Sequence, residues 1–271
     1  MPATQPKSLI LDVYAVFVRR LGGWIAVADL VVLMADLGID EQAARSAISR
    51  MKRAGLLRAE SRSESAGYAL TDEALDILAA GDQRIFNSER PADLIDGWVI
   101  AVFSVPEKER DQRYSLRSRL AWLGFGQVEA AVWIAPRRIL PDVKRVLEGN
   151  KLDRYVHLFE GAYSAFLELP EFVSRAWDLD HLRALYSEFL SRHEPALKRW
   201  RNDGSMTDRD AFIDVMRLVS EWRRLPYMDP GLPPELLPED WEAERARRVF
   251  NELRGLIEMR AFKRVMDVVE G

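Results

Sequence analysis

The chain contains no cysteine. Disulfides, thiolate zinc sites and a cysteine nucleophile are therefore excluded together, and a reducing, cytoplasmic setting is the one we expect. No stretch approaches the roughly 18–20 uncharged apolar residues of a membrane-spanning helix. The N-terminal MPATQPKSLILDVYAVFVRR is apolar only in helical rhythm and lacks a small-residue cleavage site, so it is not read as a signal peptide. Histidine is scarce: His157, His181 and His193 occur without HExxH or other ligand spacing. GxSxG, P-loop and dinucleotide glycine patterns are also missing. We expect no catalytic residues, no metal, no cofactor and no membrane partner. A surplus of positive charge is missing too. The 39 Lys and Arg stand against 43 Asp and Glu, a net charge of −4, so any nucleic-acid partner must be met by local charge.

Such a local concentration exists. Between Arg45 and Arg62 lie six basic residues (Arg45, Arg50, Lys52, Arg53, Arg58, Arg62) and one acid (Glu60), a local +5. The surrounding stretch, Leu37 to Leu70, reads as a helix, a tight stop at Gly55 and a hairpin with a polar tip. At about 100° per residue, Ala44, Ala47, Ile48 and Met51 share one side of the helix. Gln42, Arg45, Ser46, Ser49 and Arg53 share the other, with Arg50 and Lys52 flanking. One side is small enough to pack closely on a neighbour. The other carries donors of the kinds that read base edges and hold phosphates. Gln42, Arg45, Ser46, Ser49 and Arg50 are expected to face DNA, with Arg53, Arg58 and Arg62 on phosphates or in the minor groove. A basic solvated helix face would look the same by periodicity alone.

The neighbours sharpen this reading. Residues 8–20 predict a helix with Ser8 as its cap, closed by Gly22-Gly23. Trp24-Ile25 is a short extended piece, and residues 28–37 form a second helix. Asp40 caps the third helix, Leu56 to Glu60 and Gly67 to Leu70 are strands, and Thr71-Asp72-Glu73 begins a fourth helix. That order is a winged helix-turn-helix over 1–88. Trp24 is expected to be a core anchor of it rather than a ligand-stacking residue.

Residues 87–96 read as a linker, after which the pattern changes. GWVIAVFSV (97–105) is a strong strand, 107–123 a helix, VEAAVWIAP (128–136) a second strand, 141–147 a helix and 154–159 a third strand. A small ferredoxin-like α+β domain over 94–170 is expected. From 171 to 271 the chain is mostly helical. Its Pro-rich LPYMDPGLPPELLPEDW is expected to lie against the helices as packed extended chain. The fold class is thus α+β, multidomain.

Five stretches in order carry a resemblance to a known family: RRLGGWIAVADLVVLMADLGIDEQAARSAISRMKRAGLL, WVIAVFSVPE, LRSRLAWLGFGQVEAAVWIAP, RAWDLDHLRALYSEFL and RLPYMDPGLPPELLPEDW. Across essentially its whole length the chain resembles the PaaX family of bacterial transcriptional repressors. The resemblance implies an N-terminal winged helix, a middle domain similar to the small ferredoxin-like CRISPR-associated nuclease, a helical C-terminal domain and a homodimer. It also implies repression of phenylacetate catabolism at double-stranded operator DNA, relieved by an acyl-CoA effector such as phenylacetyl-CoA. Trp122 and Trp133 could line a pocket for an aromatic acyl group, with Arg137-Arg138 and Lys144-Arg145 available to coenzyme A phosphates. Helix-on-sheet packing and a solvated face are the competing readings. The alternative function is a metal-dependent nuclease. It is disfavoured because the first strand of the middle domain ends Phe103-Ser104-Val105-Pro106, with no carboxylate to hold a metal.

Overall fold

The structure is a computed structural model that describes residues 5–62, 64–86, 92–164 and 166–271. Residues 87–91 of the expected linker, and Ser63 at the tip of the expected wing, lie outside the described residues. The first elements are α1 (Pro6–Val16), β1 (Trp24–Ala26), α2 (Val27–Asp36), α3 (Glu41–Arg53), β2 (Leu57–Arg62), β3 (Ser65–Leu70) and α4 (Asp72–Phe86). There follow β4 (Trp98–Phe103), α5 (Arg110–Trp122), β5 (Gly126–Glu129), β6 (Val132–Pro136), α6 (Leu140–Gly149) and β7 (Val156–Gly161). The chain ends in α7 (Leu169–Ala176), α8 (Leu179–Asn202), α9 (Asp208–Trp222), a short α10 (Leu225–Met228) and α11 (Ala243–Glu270). No helix among the described residues is long and apolar enough to cross a membrane.

Contacts divide the chain into two compact units: Met1–Asn87 with Phe189–Arg223 and Glu244–Gly271, and Ser88–Glu188 with Arg224–Ala243. In the first unit, Ile10, Val13, Tyr14 and Phe17 are wholly buried. The Phe17 ring lies 5.7 Å from Phe212 of α9 and 6.5 Å from Phe262 of α11. Trp222, closing α9, stacks on Phe250 of α11 at 4.6 Å and donates its indole N–H to the Ile85 carbonyl at 3.0 Å. The N-terminal helices therefore share one core with α9 and α11, because each buries an apolar stripe. Helix α1 starts earlier than expected. Gln5 is its N-cap and Pro6 its first residue, where the fixed φ of proline pre-forms the turn. Ser8 is not the cap; its hydroxyl accepts a hydrogen bond from Arg223.

Asp12 on α1 is only 4% exposed and sits 3.1 Å from Arg223 Nε. Burial pushes its pKa up to about 6, against the opposing pull of Arg223 and a hydrogen bond from Ser220. A carboxyl whose folded pKa lies above its unfolded value contributes stability that is fully present below about pH 3.8 and is lost as pH rises through about 6. The gap of about two units corresponds to up to about 3 kcal/mol. Asp12→Asn does not titrate. Urea unfolding should therefore show wild type losing stability relative to Asp12→Asn by up to about 3 kcal/mol between pH 4 and pH 7. A difference that stays flat across that range refutes the assignment.

In the second unit the strands form one antiparallel sheet in the order β5-β6-β4-β7. Along β4 the side chains alternate. Val99, Ala101 and Phe103 face Leu116 and Leu120 of α5 and Val143 and Leu147 of α6. Trp98 faces the other way, into a cluster with Ile134, Val173, Trp177, Leu232 and Leu236. The Pro-rich segment packs, but on the sheet and α7 rather than on helices alone, and it is not extended throughout, since Leu225–Met228 forms the short α10. Leu232 is wholly buried and the Gly231 carbonyl accepts from the Ala92 N–H at 3.0 Å.

The expected strand 128–136 is two strands. The chain turns at Ala130-Ala131, and β5 pairs back on β6 with an irregularity between Gln127 and Glu129. The order becomes β-α-β-β-α-β. Gly126, opening β5, is dictated by its neighbour: a Cβ there would lie 2.6 Å from the Trp177 ring, whose indole N–H donates to the Gly124 carbonyl at 3.0 Å.

Candidate nucleic-acid interface

Helix α3 begins where the Asp40 side chain accepts the Ala43 N–H at 2.8 Å. It ends with Leu56 N–H bonded to the Met51 carbonyl (3.0 Å), Gly55 N–H bonded to the Lys52 carbonyl (3.1 Å) and Gly55 at φ +73°. This is a Schellman closure, which turns the chain sharply into β2. Ala44, Ala47, Ile48 and Met51 are all buried. The two alanines let α1 approach closely, so the helix is held by one face only. Gln42, Arg45, Ser46, Ser49, Arg50 and Arg53 are exposed on the remainder.

The hairpin pairs from Leu57↔Leu70 to Arg62↔Ser65, and β1 adds on the far side of β3. Arg58 and Arg62 are exposed on β2. Trp24 is half-buried rather than enclosed. Its indole N–H donates to the Glu60 carbonyl at 2.9 Å, and the Arg62 guanidinium lies 5.3 Å from its ring. It braces the hairpin from below. Gly67 is the residue that makes room: a Cβ there would lie 2.4 Å from the Ile25 carbonyl oxygen and 2.5 Å from the Trp24 ring. The Thr71 hydroxyl ties the start of α4 to the Gly55 carbonyl at 2.6 Å. Local hydrogen bonds thus hold helix and hairpin as one module.

The charges are partly engaged. Arg45 pairs with Glu41 at 2.7 Å, and Glu60 holds both Arg58 (3.1 Å) and Arg62 (2.6 Å). Arg50, Lys52 and Arg53 are exposed and have no ion pair among the described residues. They also sit in the last turn, where the negative end of the helix favours cations. Exposed pairs of this kind contribute about 0–1 kcal/mol each and are readily exchanged for phosphate. Glu60→Gln leaves the six cations of the module without an acid between them and releases two arginines. It should tighten binding to arbitrary duplex DNA at low salt by about 0.5–1 kcal/mol. Fluorescence anisotropy with a labelled duplex reads this; unchanged or weaker binding sinks the assignment of Arg58 and Arg62.

The four effector candidates of the second unit have four different surroundings. Trp122 closes α5, is 46% exposed and stacks on Tyr227 at 4.3 Å. Trp133 is buried in the sheet core, with Arg117 5.9 Å from its ring. Arg137 pairs with Glu160 of β7. Arg138 lies along the Pro-rich segment, 3.4 Å from the Pro230 carbonyl. At the end of β4, Ser104 N–H donates to the Tyr155 carbonyl at 3.0 Å. Glu109, in the connection that follows, accepts from the Tyr155 hydroxyl and lies 3.5 Å from Arg154. Among the described residues no group of three His, Asp or Glu side chains is placed to hold a metal ion. His193 is buried, with Nε2 2.9 Å from Glu221.

The fold and this surface define a class: a multidomain α+β protein that presents a cationic helix and hairpin on an otherwise acidic chain. Family models match nearly all of it in order. A PaaX-like protein model matches residues 5–74, the central Cas2-like domain of PaaX protein matches 91–173, and the PaaX-like protein C-terminal domain matches 177–266. The chain is 28% identical over 247 residues to the transcriptional repressor PaaX of Escherichia coli (strain K12), covering 89% of this chain and 77% of that one. It shares its fold with a solved structure, the uncharacterized protein Rv0674 from Mycobacterium tuberculosis. The TM-score is 0.63 at 21% identity, over 94% of this chain and 97% of that one. The chain belongs to the PaaX family.

Proposed function

We propose that this protein is a DNA-binding transcriptional repressor that reads double-stranded operator DNA with a winged helix-turn-helix, α3 being the recognition helix and the β2–β3 hairpin the wing. The observation that carries the reading is the disposition of charge. All eight candidate side chains, from Gln42 to Arg62, are exposed on one module whose other face is buried, in a chain of net charge −4. Gln42, Arg45, Ser46, Ser49 and Arg50 face the bases; Arg53, Arg58 and Arg62 meet phosphates or the minor groove. The regulated genes are an aromatic-acid catabolic operon of the phenylacetate type, and an acyl-CoA thioester such as phenylacetyl-CoA relieves repression. The protein acts as a cytoplasmic homodimer, with 1–88 as reading head, 94–170 as a ferredoxin-like domain and 171–271 as a helical domain. The β-α-β-β-α-β order and the strand order β5-β6-β4-β7 support the ferredoxin-like reading. On the effector side, the half-exposed Trp122–Tyr227 stack is the aromatic surface open to a ligand, with Arg137 and Arg138 as phosphate candidates and Trp133 acting through packing.

The effector works by differential affinity: it must favour a dimer geometry that fits the operator less well. The test is a titration of the purified chain against its own upstream DNA at several salt concentrations, with and without phenylacetyl-CoA. Sequence-dependent binding should weaken linearly in log K against log salt, with a slope of about −0.9 per phosphate contact, and should weaken again with the thioester. Equal affinity for upstream and unrelated DNA rejects operator recognition. The nuclease reading requires cleavage with Mg²⁺ or Mn²⁺; the engaged Glu109 and the carboxylate-free end of β4 speak for none.

A further inference from the structure

The first unit holds a cavity of about 440 Å³ beside the turn that joins α2 to α3. Leu9 of α1, Leu37 and Ile39 of the turn, and Ile213 and Met216 of α9 supply its apolar wall, and Arg217 of α9 also lines it. Gly38, at the centre of the turn, has φ +78°, and a Cβ there would meet nothing within 4 Å, so the space stays open up to the backbone. We propose that this cavity binds a small organic carboxylate with an apolar body about the size of one ring, and that the occupant biases the turn from which α3 starts. The site is separate from the effector candidates of the second unit. Its binding half stands alone; its regulatory half rests on the reading of α3 as the DNA-facing helix.

Volume and wall chemistry set the ligand class. The volume lies within the range of small-molecule sites, and an apolar lining with one or two placed polar groups is their usual make-up. Met216 is wholly buried, and an unbranched thioether adapts to the shape of an occupant. Both carboxylates on the wall already have an arginine partner. Asp36 is held by Arg209 (2.7 Å) and Arg264 (2.9 Å), and Glu221 by Arg192 (3.2 Å), with His193 Nε2 2.9 Å away. They have no call for a cationic ligand. Arg217 is different: its side chain is 61% exposed and meets Asp214 only at 3.9 Å, leaving its planar fork able to turn to an anion.

Geometry also supplies the coupling. The Asp36 ion pairs tie the end of α2 to α9 and α11, so the cavity is preformed. Ile39 immediately precedes the Asp40 cap of α3. An occupant pressing on Leu37 and Ile39 therefore acts on the residues that set where α3 begins, and only its differential affinity for two positions of that turn can shift them.

The test uses the full chain with ¹³C-methyl isoleucine and methionine, titrated with 4-iodobenzoate and, as the neutral comparison, 4-iodobenzamide. The expected result is saturable shifts at Ile39, Ile213 and Met216, at least about tenfold weaker binding in the cavity-filling Ile213→Trp, and a preference for the carboxylate that Arg217→Gln removes. Should Ile213→Trp lose its folded methyl spectrum, Ile213→Phe takes its place. Absence of saturation by about 10 mM, or unchanged binding in the filled variant, overturns the site. Affinity for the upstream DNA is then measured with the carboxylate saturating. A change of about threefold or more in wild type but not in the filled variant supports the coupling, and an unchanged affinity overturns it. A chain that binds no DNA even without ligand defeats the DNA-reading assignment instead, and leaves the methyl titration standing.

Discussion

Alanine at Arg45 and Arg50 together should lower affinity for the operator by about 2–6 kcal/mol, from about 1–3 kcal/mol for each side chain that meets a base. Both are exposed and lie away from the buried Ala44, Ala47, Ile48 and Met51, so their removal leaves no cavity and unfolding is not the expected cause of the loss. The two positions should differ. Arg50 has no ion pair among the described residues, whereas Arg45 must first leave Glu41, 2.7 Å away. That pair is exposed, and breaking it costs less than about 1 kcal/mol. Arg50→Ala should therefore cost the larger share. Mobility shifts at fixed salt on operator and scrambled DNA separate the two roles. A base-reading arginine lowers the ratio of specific to non-specific affinity, whereas a phosphate-binding one lowers both and flattens the salt slope by about one. Retention of wild-type operator affinity by the double variant removes α3 from the interface.

Gly67→Ala should destabilise the first unit by about 3 kcal/mol or more and weaken DNA binding with it. The added methyl would lie 2.4 Å from a backbone oxygen of β1 and 2.5 Å from the Trp24 ring. Overpacking of this kind costs about 1–3 kcal/mol where neighbours can yield, and here one neighbour is backbone in the same sheet. Relief requires either β1 to part from β3 or Trp24 to leave the Glu60 carbonyl. Pairing the substitution with Trp24→Ala is informative: if the ring is the obstacle, the two losses should be clearly less than additive. Urea unfolding measures this. A Gly67→Ala protein as stable as wild type would show that the hairpin is not packed against β1 as described.

The local features were legible because their causes are local. Asp40 caps α3 and Gly55 closes it as their residue types demand, and the two faces of the helix follow from spacing alone. The strand pair extends further than the expected Leu56–Glu60 and Gly67–Leu70, running to Arg62 and back from Ser65, since polar residues in an exposed hairpin carry no apolar alternation. The β5–β6 turn was invisible for a related reason. Ala130-Ala131 has none of the Gly, Pro, Asn or Asp residues that announce a reversal, so VEAAVWIAP reads as one strand, and a sheet strand is lost with it. Among the candidate sites, the DNA-facing residues lie within one short stretch of chain. The effector candidates came from composition around two tryptophans, and the structure gives each a separate partner.

The sequence by itself determined where positive charge concentrates, which side of α3 is apolar, which segments alternate as strands, and membership of the PaaX family. The first three depend on neighbours in the chain, a few residues apart, and the family on five stretches spread along nearly the whole of it. Only the tertiary structure decided that α9 and α11 complete the core of the N-terminal unit, that Leu232 and Leu236 of the Pro-rich segment cover the second face of the sheet, and that Leu9, Leu37, Ile39, Ile213 and Met216 line one cavity. These residues stand up to some two hundred positions apart in the chain. What brings them together is the burial of several apolar faces at once, and no single segment records that outcome.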